Sequence, residues 1–293
     1  MELDRLTLLG VPIDSVGREG GTELAPAAMR AHLSETGMRD AGDTVRKIHG
    51  TDRDIKNGWL AYEDIVAMSA EVRSKVAAIT AAGQVPVVIG GCCTLLPAAL
   101  AGARDTYGDI GLAYFDGHLD LFTGLTSPTG EGADMPVAVT LGEAPEELLF
   151  ELGPSPIVEA PKISLIGARD KEELQMISPL PGGIDFNSIH DREELRHEDL
   201  ASLGRRLAGE LGDRGRKFWL HIDVDVLGQE NFPATDYLMP DGLSIPELKA
   251  LTAPLAASPG LVGVNITCFN PEKDADGSCG RQLAGMLESI LDI

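Results

Sequence analysis

The chain has 293 residues, and its 46 Asp and Glu against 24 Lys and Arg give a formal charge of −22. A balance this acidic excludes nucleic acid as the main partner and disfavours docking on anionic membranes, because both need Lys/Arg patches. The length bounds the protein to one large domain or two small ones, and a hydrophobic share of 43% is enough for a sizeable core. In chain order, short apolar runs at 6–11, 85–89, 110–115, 163–166, 218–222 and 261–264 read as buried strands. Helical patterns near 25–35, 61–82, 94–103, 170–176, 193–213, 245–256 and 279–292 alternate with them. Runs apolar on both faces suit parallel strands covered by helices. Alternation over the whole chain, with no linker and no internal repeat, predicts one α/β domain over 1–293. The Pro- and Gly-rich stretches 124–136 and 153–162 read as loops inside it.

One segment invites a membrane reading. No charged residue stands between Val76 and Ala103. Gly83, Pro86, Gly90, Gly91 and Pro97 break it into a helix end, a turn, a strand and a second helix. The start, Met1 to Arg5, has no basic stretch leading into an apolar one, so no secretory signal is expected. Four cysteines, with Cys92 and Cys93 adjacent, do not make a disulfide framework. The expectation is a cytoplasmic protein with no membrane segment.

Open parallel sheets collect chemistry beyond the carboxyl ends of their strands. After the run at 110–115 come Asp116, His118 and Asp120, at spacing two. If the extended conformation continues, all three share a face. After the run at 218–222 come Asp223 and Asp225, with His221 just before them at the same spacing. So many carboxylates repel one another unless a cation lies between them. The donor types suit Mn²⁺, Mg²⁺ or Zn²⁺, and two bridging carboxylates would make a binuclear, water-activating site.

These motifs resemble those of the ureohydrolases, the arginase and agmatinase superfamily. Gly90-Gly91-Cys92-Cys93-Thr94 resembles that family's Gly-Gly-Asp-His-Ser turn. Asp116-Gly117-His118-Leu119-Asp120 resembles its Asp-Ala-His-x-Asp motif, and His221 to Asp225 its Ser-x-Asp-x-Asp motif. Gly10 to Asp14, Gly21 to Pro26, Gly167 to Asp170 and Phe269-Asn270-Pro271 extend the likeness over most of the chain. The resemblance implies a three-layer αβα sandwich around an eight-stranded, mostly parallel sheet. It implies two Mn²⁺ ions bridged by a hydroxide, with Asp116 and Asp223 bridging, Asp120 on the first metal, and His118 and Asp225 on the second. That hydroxide would attack the sp² carbon of a small cationic guanidine, N-hydroxyguanidine or amidine. A homotrimer or homohexamer is also implied. His221 is expected to be a packed strand histidine, with a hydrogen bond to one of the metal-holding aspartates as the alternative.

The chain departs from the pattern at several positions. Cys93 stands where the family has its remaining metal-binding His, and a thiolate favours Zn²⁺ over Mn²⁺ relative to imidazole. Zn²⁺, or a single ion, is therefore the alternative to two Mn²⁺. Cys92 reads as packing. Cys268 falls where arginases place the Glu that grips the guanidinium, so a bidentate salt bridge is lost. In the loop resembling the arginase substrate loop, Thr129 lies at the Ser position and Glu131 at the Asn position. Ala133 lies at the position of the proton-shuttle His. The hydroxyarginine amidinohydrolase of D-cycloserine biosynthesis is similar in its Cys at the first His position and in the stretch Asp236 to Gly242. The alternative functions are altered chemistry on the same fold, with Cys268 a nucleophile or a soft ligand together with Cys93, and a non-catalytic metal-binding protein.

Overall fold

A computed structural model describes residues 3–16, 20–170 and 184–293. Its strands are β1 (Leu6–Val11), β2 (Arg39–Asp43), β3 (Val85–Gly90), β4 (Ile110–Phe115), β5 (Ile163–Ile166), β6 (Ser188–His190), β7 (Lys217–Asp223) and β8 (Leu261–Thr267). They form one sheet in the order β2-β1-β3-β8-β7-β4-β5-β6, and every pairing is parallel. The six strands read from apolar runs are the inner ones. Strands β2 and β6 are the edges, and they lack an apolar run for a physical reason. An edge strand needs a partner on one side only, and β2 is exposed along its whole length.

The helices are α1 (Ala25–Leu33), α2 (Tyr62–Ala81), α3 (Leu96–Tyr107), α4 (Pro136–Thr140), α5 (Glu146–Leu152), α6 (Arg192–Leu195), α7 (Leu200–Leu211), α8 (Ile245–Ala256) and α9 (Ser278–Leu291). They pack in two groups, α2 with α3 and α5, and α1 with α9, α8 and α7, giving the layered α/β fold expected. Several starts are written locally. Pro26, Pro97 and Pro246 occupy first-turn positions, and Ser244 with Glu247 forms a capping box on α8. The pattern at 193–213 splits into α6 and α7, each with its own Asp cap, Asp191 and Asp199. Beyond Asp170, the helix expected over 170–176 lies outside the described residues. The uncharged stretch 76–103 folds as the end of α2, β3 and most of α3. Among the described residues no helix is long and apolar enough to cross a membrane.

The strand order positions the site. The chain passes from β3 to β4 across the slots later filled by β8 and β7. The carboxyl ends of β3, β8, β7, β4 and β5 are therefore neighbours, although they are far apart in sequence. At the end of β3 the backbone also runs against another segment. A Cβ on Gly91 would lie 1.6 Å from the Ile13 carbonyl oxygen, so only glycine lets the chain reach Cys93 by this path.

Candidate metal centre

The two acidic motifs leave their strands in the same way. Asp116 Oδ1 accepts the backbone N–H of His118 at 2.7 Å, and Asp223 Oδ1 accepts that of Asp225 at 2.9 Å. Each is an Asx turn, in which the carboxylate caps the residue two places on. The expectation that extended conformation continues through 116–120 is thus corrected. Strand β4 ends at Phe115, Asp120 takes a left-handed backbone with φ 47°, and Asp225 lies in the 3-10 turn Val224–Val226. The side chains converge through turns, because turns free the backbone N–H groups to hold the carboxylates. Gly117 N–H donates to Asp225 Oδ1 at 2.9 Å, joining one motif to the other.

Around a cavity of about 70 Å³ the structure brings together Cys93, Asp116, His118, Asp120, Asp223, Asp225 and Cys268. Their ligand atoms form overlapping groups, each within 4.8 Å: Cys93, Asp116 and Asp120; Asp116, His118 and Asp225; Cys93, Asp223 and Cys268. A fourth group joins Asp116 and Asp223 to His221. His118 Nδ1 lies 3.0 Å from Asp225 Oδ2 and 3.5 Å from Asp116 Oδ1. The Tyr114 hydroxyl donates to the Asp120 carboxylate, and Thr267 Oγ1 donates to Asp223 Oδ2 at 3.2 Å.

The electrostatics point to a missing positive charge. Burial, then repulsion from Asp116, pushes the Asp120 and Asp225 carboxyls up. Burial, then repulsion from Asp225 and Asp116, does the same to Asp223. For Asp116 burial also acts upward, but the neighbouring His118 and His221 rings outweigh it and hold the carboxyl low. His118 is held far above the usual imidazole range, because Asp225 and Asp116 outweigh its burial. Asp116 Oδ2 and His221 Nε2 are buried without a hydrogen-bond partner. An orphaned carboxylate oxygen at the centre of the cluster, ringed by acids, fits divalent cations.

His221 does more than pack. It is fully buried and stacks on Tyr114 with ring centroids 4.5 Å apart. Trp219 Nε1–H donates to Asn265 Oδ1 at 2.7 Å, so the Asn265 amide nitrogen must donate to His221 Nδ1, also at 2.7 Å. In the neutral ring that leaves the proton on Nε2, which faces Asp116 Oδ2 at 3.8 Å. His221 is thus packed, as expected, and its Nε2 also faces a candidate metal-holding carboxylate.

Thr129 and Glu131 do not line the cavity. Thr129 Oγ1 donates to Asp134 Oδ2 at 2.6 Å, and Tyr237 donates its hydroxyl to Glu131 Oε2 at 2.7 Å. Asp134 and Tyr237 do line it, as do Ala133, Phe122 and Asp170. Asp170 and Tyr237 lie in stretches that carry the family resemblance, but neither was expected in the site. For Asp170 the signal was available, since it lies in the turn that leaves the carboxyl end of β5. It accepts Leu119 N–H at 3.0 Å, and burial pushes its carboxyl up to about 6. Cys92 donates to Thr94 Oγ1 at 3.3 Å, and burial pushes its thiol up to about 11.

Compared with known families, residues 4–291 match the one described as the arginase family. The chain belongs to the arginase family. It is 26% identical to an arginase of Brevibacillus brevis over 300 residues, covering 97% of each chain. It is 27% identical to an arginase of Bacillus caldovelox over 301 residues, covering 96% of this chain and 97% of that one. A solved arginase structure from Bacillus caldovelox superposes with a TM-score of 0.88 at 23% identity, covering 99% of both chains. A formimidoylglutamase from Bacillus subtilis subsp. subtilis str. 168 superposes at 0.75 and 20% identity, over all of this chain and 87% of that one. This arginase-family chain is thus a metal-dependent hydrolase of non-peptide C–N bonds on an arginase-like fold.

Proposed function

We propose that this arginase-family chain cleaves a C–N bond of a guanidine, N-hydroxyguanidine or amidine at a binuclear centre. Asp116 and Asp223 would bridge two divalent cations, with Asp120 and Cys93 completing one shell and His118 and Asp225 the other. The observation that carries the reading is Asp116. It belongs to three of the four ligand groups, and its Oδ2 is buried without a partner. When bound, such cations supply a water acidified enough to act as a nucleophile near neutral pH.

The remaining roles fall to the chain's own side chains. Tyr114 and Thr267 hold Asp120 and Asp223 in place through their hydroxyls. Asp134 and Asp170 at the cavity wall give it a negative field suited to a cationic head group. Cys268 and Ala133 offer neither a carboxylate to grip a guanidinium nor a proton shuttle. That favours a less basic head group, such as an N-hydroxyguanidine, over free arginine. Proteins named arginase, agmatine ureohydrolase and formimidoylglutamase are among those similar to this chain.

The test is release of urea, amine or ammonia by metal-loaded protein from a panel of guanidines, N-hydroxyguanidines and amidines. Turnover of at least one class is expected. Asp116→Asn and Asp223→Asn should each lower it by at least the roughly 100-fold that outer-shell changes cost. No turnover across the panel with metal fully loaded overturns the proposal.

A further inference from the structure

Two buried thiols meet at one end of the centre. Cys93 follows β3 and Cys268 follows β8, which are neighbours in the sheet. They are 4% and 6% exposed. Cys93 Sγ donates to the Ala133 carbonyl oxygen at 3.4 Å, and both Sγ atoms and an Asp223 carboxylate oxygen lie within 4.8 Å of one another. Cys93 Sγ is also a vertex of the group formed with Asp116 and Asp120. The opposite end, with Asp116, His118 and Asp225, contains no sulfur.

The backbone around Cys268 is arranged to hold its thiol there. Cys268 has φ 66°, in the left-handed region that residues with a Cβ rarely adopt. Its N–H donates to the Gly91 carbonyl at 2.6 Å, two residues before Cys93, so the loops carrying the two thiols are tied together. Non-glycine residues held in this region gather at functional sites. The other two cysteines lie apart from this arrangement. Cys92 is bonded to Thr94, and Cys279 is in the first turn of α9.

Resting on the binuclear reading above, we infer that Cys268 is a metal ligand and that the two cation positions differ in kind. A thiophilic cation, Zn²⁺ among the common ones, takes Cys93, Cys268 and Asp223, with Asp120 or Asp116 as the fourth donor. A hard cation such as Mn²⁺ takes the oxygen- and imidazole-rich end. Thiolates select zinc, whereas carboxylates with imidazole suit manganese. Binding would release both thiol protons to solvent, each sulfur exchanging its S–H bond for a bond to the cation.

The experiment uses the full chain, with a phosphine reductant present. Elemental analysis follows loading from equimolar Zn²⁺ and Mn²⁺, and absorbance follows loading with Co²⁺ alone. One Zn²⁺ and one Mn²⁺ per chain are expected, with a thiolate-to-cobalt charge-transfer band in the near ultraviolet. Cys268→Ser should lose about half of that band and most of the zinc while keeping the manganese. Cys279→Ser should match the unsubstituted protein. Cys268→Asp keeps a ligand where the left-handed backbone is better tolerated, and it should restore two metals while shifting the sulfur-end preference to Mn²⁺. Its melting temperature and circular dichroism separate a lost ligand from a lost fold. Two Mn²⁺ with no zinc preference, or a band that Cys268→Ser leaves intact, overturns the inference. If guanidine-type turnover persists in that case, the proposed function stands. Failure to bind any metal overturns both.

Discussion

At the scale of single residues the site is a set of acids kept together against their own charge. Asp120, Asp223, Asp225 and Asp170 are all pushed up, with burial the largest cause in each. The folded metal-free chain therefore holds more protons than the unfolded chain above the ordinary aspartate value of 3.8. Stability from these groups is complete below that value and is lost as pH rises through the raised values. For Asp170 the loss is complete beyond about 6. Asp116 acts oppositely, since its lowered carboxyl loses its contribution as pH falls below the ordinary value. Bound cations replace the protons and remove the penalty at high pH. The rise in melting temperature on adding metal should thus be small near about pH 5 and larger near about pH 8. Thermal melts with and without chelator check this, and a rise independent of pH would contradict the cation reading.

At the scale of elements, the central strands carry a buried polar relay through the core. Trp219 and His221 on β7 bracket Asn265 on β8, and His221 stacks on Tyr114 of β4. All four side chains are fully buried, so each polar atom needs its partner. Replacing Asn265 by Leu keeps the size but strands the Trp219 N–H and His221 Nδ1. Each stranded group should cost about 1–3 kcal/mol, read from urea unfolding. Because the relay keeps the proton on the His221 nitrogen that faces Asp116, metal affinity should also fall by about 10–100-fold. Lost stability with unchanged affinity would reduce His221 to a packing role.

At the scale of the whole molecule, charge and topology matter most. A chain of charge −22 repels itself when compact. Its ion pairs, such as Arg30 with Asp40 and Asp43 and Arg73 with Asp105, lie at the surface where solvent screens them. Added salt should therefore screen more repulsion than attraction. The metal-free melting temperature should rise between about 10 mM and 150 mM sodium chloride, over which the Debye length shrinks from about 30 to about 8 Å. A falling melting temperature would mean that the surface pairs outweigh the net charge. The parallel sheet sends five strand ends to one place, and the acidic residues concentrated there would repel most strongly without a counter-ion.

The sequence by itself determined the alternating layers, the six inner strands and the acids at their ends. Fully buried strands must be apolar on both faces, and chemistry in a parallel sheet follows the strand ends, so both are written locally. Edge strands β2 and β6 were not legible, because Arg39–Asp43 and Ser188–His190 satisfy one side only and carry no apolar run. Only the tertiary structure decided that Cys93 meets Cys268, that His221 faces Asp116, and that Asp170 and Tyr237 wall the cavity while Thr129 and Glu131 stand behind. Those contacts join segments from distant parts of the chain. Their distances depend on strand order and on turns whose carboxylates bind the backbone. No local periodicity encodes that.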